Sequence, residues 1–329
     1  MVIPTLNEEK VIGECLEALV QQQWSRREFE VIVADNGSVD GTLDAVRGFL
    51  GRLNLTVVVR SGCHVSALRN SGACEGKGKI LAFLDADCLA PPTWLESAVS
   101  ILGDADDMIT GSLPALPENS TWVARAWDER QRERRGAVFY VPSCALFISR
   151  KGFRNLGGFD EDLETNEDVE ICQRAAAAGF KVLGHPELST VHLGTPQTLG
   201  AFWRTELWWG IGMRSVLLGH SSRRGLTKAI LLTLYSLLSM AVTLLAIPIA
   251  VMTGKFTFLA IGPVLLASSA VFMAARTSIR LRRWEHFIPL TALYVIYGIA
   301  RGLALLLRLR GKAHRIERTL GNNSLVGLR

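Results

Sequence analysis

The chain has 329 residues, 49% of them hydrophobic, and a formal net charge of +5. That length holds one large domain or two small ones, and the apolar content is high for a wholly soluble chain. Lys and Arg gather between Arg204 and Lys228 and again from Arg276 onward, beside long apolar runs, so the positive charge fits anionic lipid headgroups. No nucleic-acid-reading motif accompanies it, which argues against DNA or RNA as a partner. The six cysteines (Cys15, Cys63, Cys74, Cys88, Cys144 and Cys172) form no C-x-x-C pair and are expected to be reduced, buried and inert in a cytoplasmic domain.

In chain order, Met1 runs into Val2-Ile3-Pro4 and then charged sequence, where no secretory leader is expected. Val2 to Ile3 is short for a first strand, as though its beginning were trimmed. Val11, Ile12, Cys15, Leu16, Leu19 and Val20 share one helical face, Phe29 to Ala34 and Leu55 to Val59 read as strands, and Ala67 to Ala73 as a short helix. Lys79 to Leu84 is a further strand. This alternation predicts an open, doubly wound parallel sheet with crossover helices. From Asp107 to His192 longer loops follow, broken by Pro114, Pro117, Pro142 and Gly157-Gly158, with a helix expected from Glu167 to Ala178.

Beyond that the composition shifts. Leu199 to Leu218 interleaves Phe202, Trp203, Trp208 and Trp209 with Arg204 and Arg214, as either a surface-lying amphipathic helix or an ordinary packed one. Ala229 to Thr253 and Phe256 to Ala275 are each long enough, at about 1.5 Å per residue, to cross a hydrocarbon core of roughly 30 Å. Gly254-Lys255 leaves room only for a tight hairpin between them. A third run, His286 to Leu307, contains Arg301 and has basic clusters on both sides, so it either spans or lies in the interface. The expected division is a catalytic domain over 1–195, split at 106/107 into donor and acceptor halves. An interfacial connector over 196–227, two or three membrane helices over 228–307 and a basic tail over 308–329 complete it.

Polar residues follow the strands one after another, and in an open parallel sheet ligands bind beyond the carboxyl ends of the strands. Pro4, Thr5, Leu6, Asn7, Glu8 and Glu9 follow the first strand, Asp35 to Ser38 the second, and Asp85-Ala86-Asp87 the fourth. If the fourth strand persists, Asp85 and Asp87 point the same way and hold one hard cation; otherwise they are a solvated turn. Asp35 to Thr42 reads as a turn into a helix capped by Asp40 or Thr42, yet an acid at Asp35 could also accept from a base or ribose. Asn166-Glu167-Asp168 reads either as an Asn cap with acids in the first turn or as a catalytic carboxylate pair. Gly76-Lys77-Gly78-Lys79 lacks the spacing of a P-loop.

Taken together these motifs resemble the inverting family-2 glycosyltransferases, over Val2 to about Arg214. The matching pieces are Val2 to Glu9, Asp35 with Gly37-Ser38-x-Asp40-Gly41-Thr42, Arg69-Asn70-x-Gly72, Asp85-x-Asp87, a loop over Phe147 to Asp160, and Glu167-Asp168 with Arg174 and Gly179. The resemblance implies an α/β fold of GT-A type: an open mixed sheet with flanking helices and a Rossmann-like nucleotide half, here followed by transmembrane helices. It implies Asp168 as general base supported by Glu167, and Pro4, Thr5, Asn7, Glu8, Asp35, Arg69 and Asp85 around the nucleotide-sugar. Asp87 and Asp85 would hold Mg or Mn, and His192 is either a third ligand or structural. The implied partners are a nucleotide-sugar donor, by family habit a UDP-sugar, a lipid-linked or glycan acceptor, and membrane lipids, with the catalytic domain facing the cytoplasm at the inner membrane. Gln197-Thr198-Leu199-Gly200-Ala201 departs from the Q-x-x-R-W of processive members, so a single addition is expected. The competing expectations are a polyprenyl-phosphate sugar transferase and a silent scaffold of the same fold.

Overall fold

The computed structural model describes residues 1–129, 136–217 and 227–307. These group into two compact units: Met1–Glu118 with the described residues up to Thr195, and the segment from Asn119 around one helix with the chain from Pro196 on.

In chain order the first unit contributes β1 (Val2–Thr5), α1 (Ile12–Val20), β2 (Val31–Asp35), α2 (Thr42–Arg47), β3 (Leu55–Val59), α3 (Val65–Glu75), β4 (Ile80–Leu84), β5 (Cys88–Leu89), α4 (Trp94–Leu102) and β6 (Met108–Gly111). The chain then enters α5 (Trp122–Glu129), which belongs to the second unit. It returns with β7 (Gly136–Ala137), β8 (Ala145–Ser149), α6 (Arg150–Asn155), α7 (Glu167–Ala177), β9 (Lys181–Gly184) and β10 (Val191–His192). Among the described residues the main sheet runs β3-β2-β1-β4-β8-β6-β9-β7, and β5 pairs with β10 in a small second sheet.

The strands are apolar runs because both faces of the sheet are covered, and their period of two sorts each run into two cores. Ile3, Val31, Val33, Ala82, Leu84 and Phe147 pack with α1 and α4 on one face. Val2, Leu81, Phe83, Leu146 and Ile148 pack with α3, α6 and α7 on the other. β1, β2, β3 and β4 are mutually parallel, whereas β8 runs antiparallel to both β4 and β6. The sheet is therefore mixed, and the doubly wound expectation holds only for its first four strands.

Three local expectations are corrected. The stretch from Asp107 to His192 is not mainly loop but carries five strands, and Phe147 begins inside β8 rather than in an acceptor loop. Asn166 occupies the N-cap of α7 but with φ of 65°, and its side chain donates to Thr165 Oγ1 without capping the helix. Of the cysteines, all free, Cys63 is half-buried and Cys74 exposed, because it lies on the solvent side of α3.

The second unit comprises α5, α8 (Leu199–Leu217), α9 (Thr227–Thr253), α10 (Ile261–Leu281) and α11 (Phe287–Leu307). Three stretches, Ala229–Thr253, Phe256–Leu281 and Trp284–Leu306, are long and apolar enough to cross a membrane. The second opens as a 3-10 turn over Phe256–Ala260. Small residues bring these helices together: a Cβ on Gly298 would meet Ser236, and one on Gly262 would meet Thr243. α8 is packed rather than surface-lying: Phe202 is buried against Trp127 and Leu293, and Glu206 is buried in an ion pair with Arg301 at 2.7 Å. The expected basic tail, 308–329, and part of the connector lie outside the described residues.

Candidate active site

The site is built within the first unit, at the carboxyl ends of β1, β2 and β4. The register pairs Thr5 with Asp35, so the first two strand tips end side by side. Asp35 is fully buried and its oxygens take four protein donors: the Gly37 and Ser38 N–H groups at 2.8 Å each, the Ser38 hydroxyl at 2.5 Å and the Thr5 hydroxyl at 3.1 Å. A carboxylate offers about four acceptor sites, so Asp35 acts here as the knot that shapes the loop. Asn7, with φ of 58°, receives the Val39 N–H and gives its own to Ser38 Oγ, and Thr42 Oγ1 accepts from the Glu8 N–H. The loops after β1 and β2 thus form one rigid rim, with Pro4 buried at the end of β1.

Glu8 stands on this rim. Burial foremost, then the charges of Asp87, Asp85 and Asp40, push its carboxyl up to about 8.

α3 delivers Arg69, which is buried and spans the site. Its guanidinium donates to Asp85 Oδ1 and to Glu167 Oε1, each at 2.7 Å. Burial disfavours its charge, but Asp85 and Glu167 outweigh that and raise its pKa. Glu167 also accepts from Ser143 Oγ at 3.0 Å. Neither composition nor spacing singled out Ser143; its one sequence signal is its place between Pro142 and the apolar run of β8.

Asp168, beside Glu167 in the first turn of α7, is buried and accepts the Val169 N–H at 2.7 Å. Burial, reinforced by the charge of Glu167, pushes its carboxyl up to about 7. Desolvation here outweighs the helix terminus, which on its own would favour the anion.

Asp85 and Asp87 do not point together. β4 ends at Leu84 and a turn follows, in which the Cys88 N–H reaches Asp85 O at 3.1 Å. Asp85 turns to Arg69, whereas Asp87 turns to His192, with Nε2 3.6 Å from Oδ1. His192 arrives there because β10 pairs antiparallel with β5, opposite Cys88. Among the described residues Asp87, Cys88 and His192 place one ligand atom each within 4.8 Å of one another. An oxygen and an imidazole nitrogen suit a divalent cation, and His192 Nδ1 is buried without a hydrogen-bond partner. Gly194 keeps the place open, since a Cβ there would fall 2.1 Å from Asp87 Oδ2. Burial raises the Asp87 pKa, against the influence of His192.

The first 157 residues match the model for glycosyl transferase family 2, and residues 80–276 match that for glycosyl transferase family group 2. Glycosyltransferase AglE of Haloferax volcanii is 31% identical over 203 residues, 60% of this chain and 67% of that protein. Validoxylamine A glucosyltransferase of Streptomyces hygroscopicus subsp. limoneus is 37% identical over 102 residues, 30% of this chain, but the match spans only 22% of that protein. Among solved structures, the mannosyltransferase PcManGT of Pyrobaculum calidifontis, in complex with GDP-Man and Mn2+, superposes with a TM-score of 0.61 at 21% identity, covering 94% of this chain and 86% of that one. That likeness extends the shared GT-A fold over both units. The chain belongs to the family 2 glycosyltransferases.

Proposed function

We propose that the protein is an inverting, metal-dependent transferase that moves a sugar from a nucleotide-sugar, a UDP-sugar, to a membrane-associated acceptor, lipid-linked or polysaccharide, at the cytoplasmic face of the inner membrane. Residues 1–195 form its catalytic domain, and the apolar helices hold it at the membrane. The observation that carries this reading is Asp168: a buried carboxyl poised near pH 7, beside a Glu167–Arg69–Asp85 chain that ties the acceptor side to the donor side.

Asp168, once ionised, takes the proton of the acceptor hydroxyl as that oxygen attacks the anomeric carbon from the face opposite the diphosphate. The single displacement inverts the centre. A positioned base of this kind contributes about 10² to 10⁴ in rate. Arg69 and Ser143 hold Glu167 fixed, and with it the first turn of α7 that aims Asp168. Pro4, Thr5, Asn7, Glu8 and Asp35 shape the rim that receives the nucleotide, with Arg69 and Asp85 at its inner end. Asp87 and His192, with Asp85 beside them, would hold Mg or Mn, which when bound neutralises charge on the departing nucleoside diphosphate.

The test is nucleotide release by detergent-solubilised protein with membrane lipid extract and Mn2+ or Mg2+, across a panel of nucleotide-sugars, beside Asp168→Asn and Asp87→Ala. One donor should turn over, and both variants should be silent. Full activity in Asp168→Asn would remove the base, and folded protein that binds no nucleotide would overturn the whole reading.

A further inference from the structure

Cys88 has no part in the transfer chemistry, yet it faces the cation site. β5 and β10 pair Cys88 directly with His192, and opposite residues of an antiparallel pair project to the same face of the ladder. The thiol and imidazole are therefore set beside each other by backbone pairing. Asp87 Oδ1 completes the group: it lies 3.8 Å from Cys88 Sγ and 3.6 Å from His192 Nε2. For zinc with bonds of about 2.0 Å to O or N and about 2.3 Å to S, the edges of a tetrahedron are about 3.3 Å for O···N and about 3.5 Å for O···S. Both observed edges lie within a few tenths of an ångström of these values.

We infer that this site takes a thiolate-binding divalent cation, Zn2+ or its relatives Co2+ and Cd2+, through Asp87, Cys88 and His192, in competition with the Mg2+ or Mn2+ of transfer. The inference rests on the metal site of the proposed reaction and adds a ligand to it. A hard cation gains little from sulfur, whereas a thiolate favours the softer metals. Binding breaks the Cys88 S–H bond, forms the sulfur–metal bond and releases the proton to solvent. Zn2+ thereby occupies the site as an inhibitor, removed by a chelator and displaced only by a large excess of Mn2+. Cys88 is fully buried and in contact with the Cys144 thiol, so the sulfur is shielded from other reactions.

The experiment is a Co2+ titration of reduced, full-length, detergent-solubilised protein followed by absorption, with Cd2+ and Mn2+ affinities measured alongside. A sulfur-to-cobalt charge-transfer band in the near ultraviolet is expected, lost in Cys88→Ser and kept in Cys144→Ser. Cd2+ affinity should fall at least about tenfold in Cys88→Ser while Mn2+ affinity changes by no more than about twofold. Co2+ bound without the band, or a band that survives in Cys88→Ser, overturns the inference and leaves the transferase metal site intact. No Co2+ bound by the protein alone also overturns it. Failure of Mn2+ to bind even with nucleotide would instead count against the metal-dependent reading itself.

Discussion

Asp168 is favoured in its neutral form by the folded protein, with its pKa moved from 3.8 to about 7. Between those values the folded chain binds more protons than the unfolded one, so this group costs stability as pH rises through the window, up to a few kcal/mol by about pH 7. Asp168→Asn should remove that cost. Its unfolding temperature should exceed that of the native protein at pH 8 and converge with it near pH 4, and an equal difference at both pH values would contradict the burial argument. The same carboxyl sets the activity profile: kcat/KM should rise with pH through about 7, where the base becomes ionised. Arg69 is the opposite kind of buried charge, satisfied by two carboxylates at once. Arg69→Met leaves Glu167 and Asp85 without their cation and should cost roughly 3–5 kcal/mol, read as a fall in unfolding temperature. Lys at this position should recover little, because one ammonium cannot copy a fork that reaches both acids.

At the scale of elements, short pairings decide the site. The two-residue ladder of β5 and β10 carries His192 to Asp87 across more than a hundred residues of sequence. Gly194, just past that ladder, has no room for a methyl group beside Asp87 Oδ2. Gly194→Ala should turn the Asp87 carboxylate away and weaken Mn2+ binding at least about tenfold with the fold retained, checked by Mn2+ titration together with thermal unfolding. Unchanged Mn2+ affinity would mean that Asp87 is not held as a ligand. The apolar runs of β1, β2 and β4 and the periodicity of α1 were legible in the sequence because burial on both sheet faces demands them. β6, β8 and β9 were not, since four or five apolar residues among prolines and glycines read equally well as loop until their partners are known. The D-x-D motif was visible, but its geometry was not: the strand stops one residue early, and the turn sends the two acids to different partners.

At the scale of the whole chain, the second unit resolves the problem posed by Arg301 in an apolar run. Its guanidinium meets Glu206 of α8 and lies over the Tyr297 ring, 4.4 Å from its centre, and Gly210 lets α8 approach Ala304 closely. Arg301→Leu alone, which leaves Glu206 buried without this ion pair, should destabilise the detergent-solubilised protein by roughly 3–5 kcal/mol. Arg301→Leu combined with Glu206→Leu should recover most of that, and additivity of the two changes would show that the pair is not coupled. The sequence by itself determined the strand-tip acids, the boundary between mixed and apolar composition and the three apolar helices, because these follow from local chemistry and period. Only the tertiary structure decided that Asp35 is consumed by its own loop, that Arg69 joins Asp85 to Glu167, that Cys88 stands beside His192 and that α8 packs on α11. Each of those depends on which distant residue a buried polar group finds, and burial makes the partner obligatory without naming it.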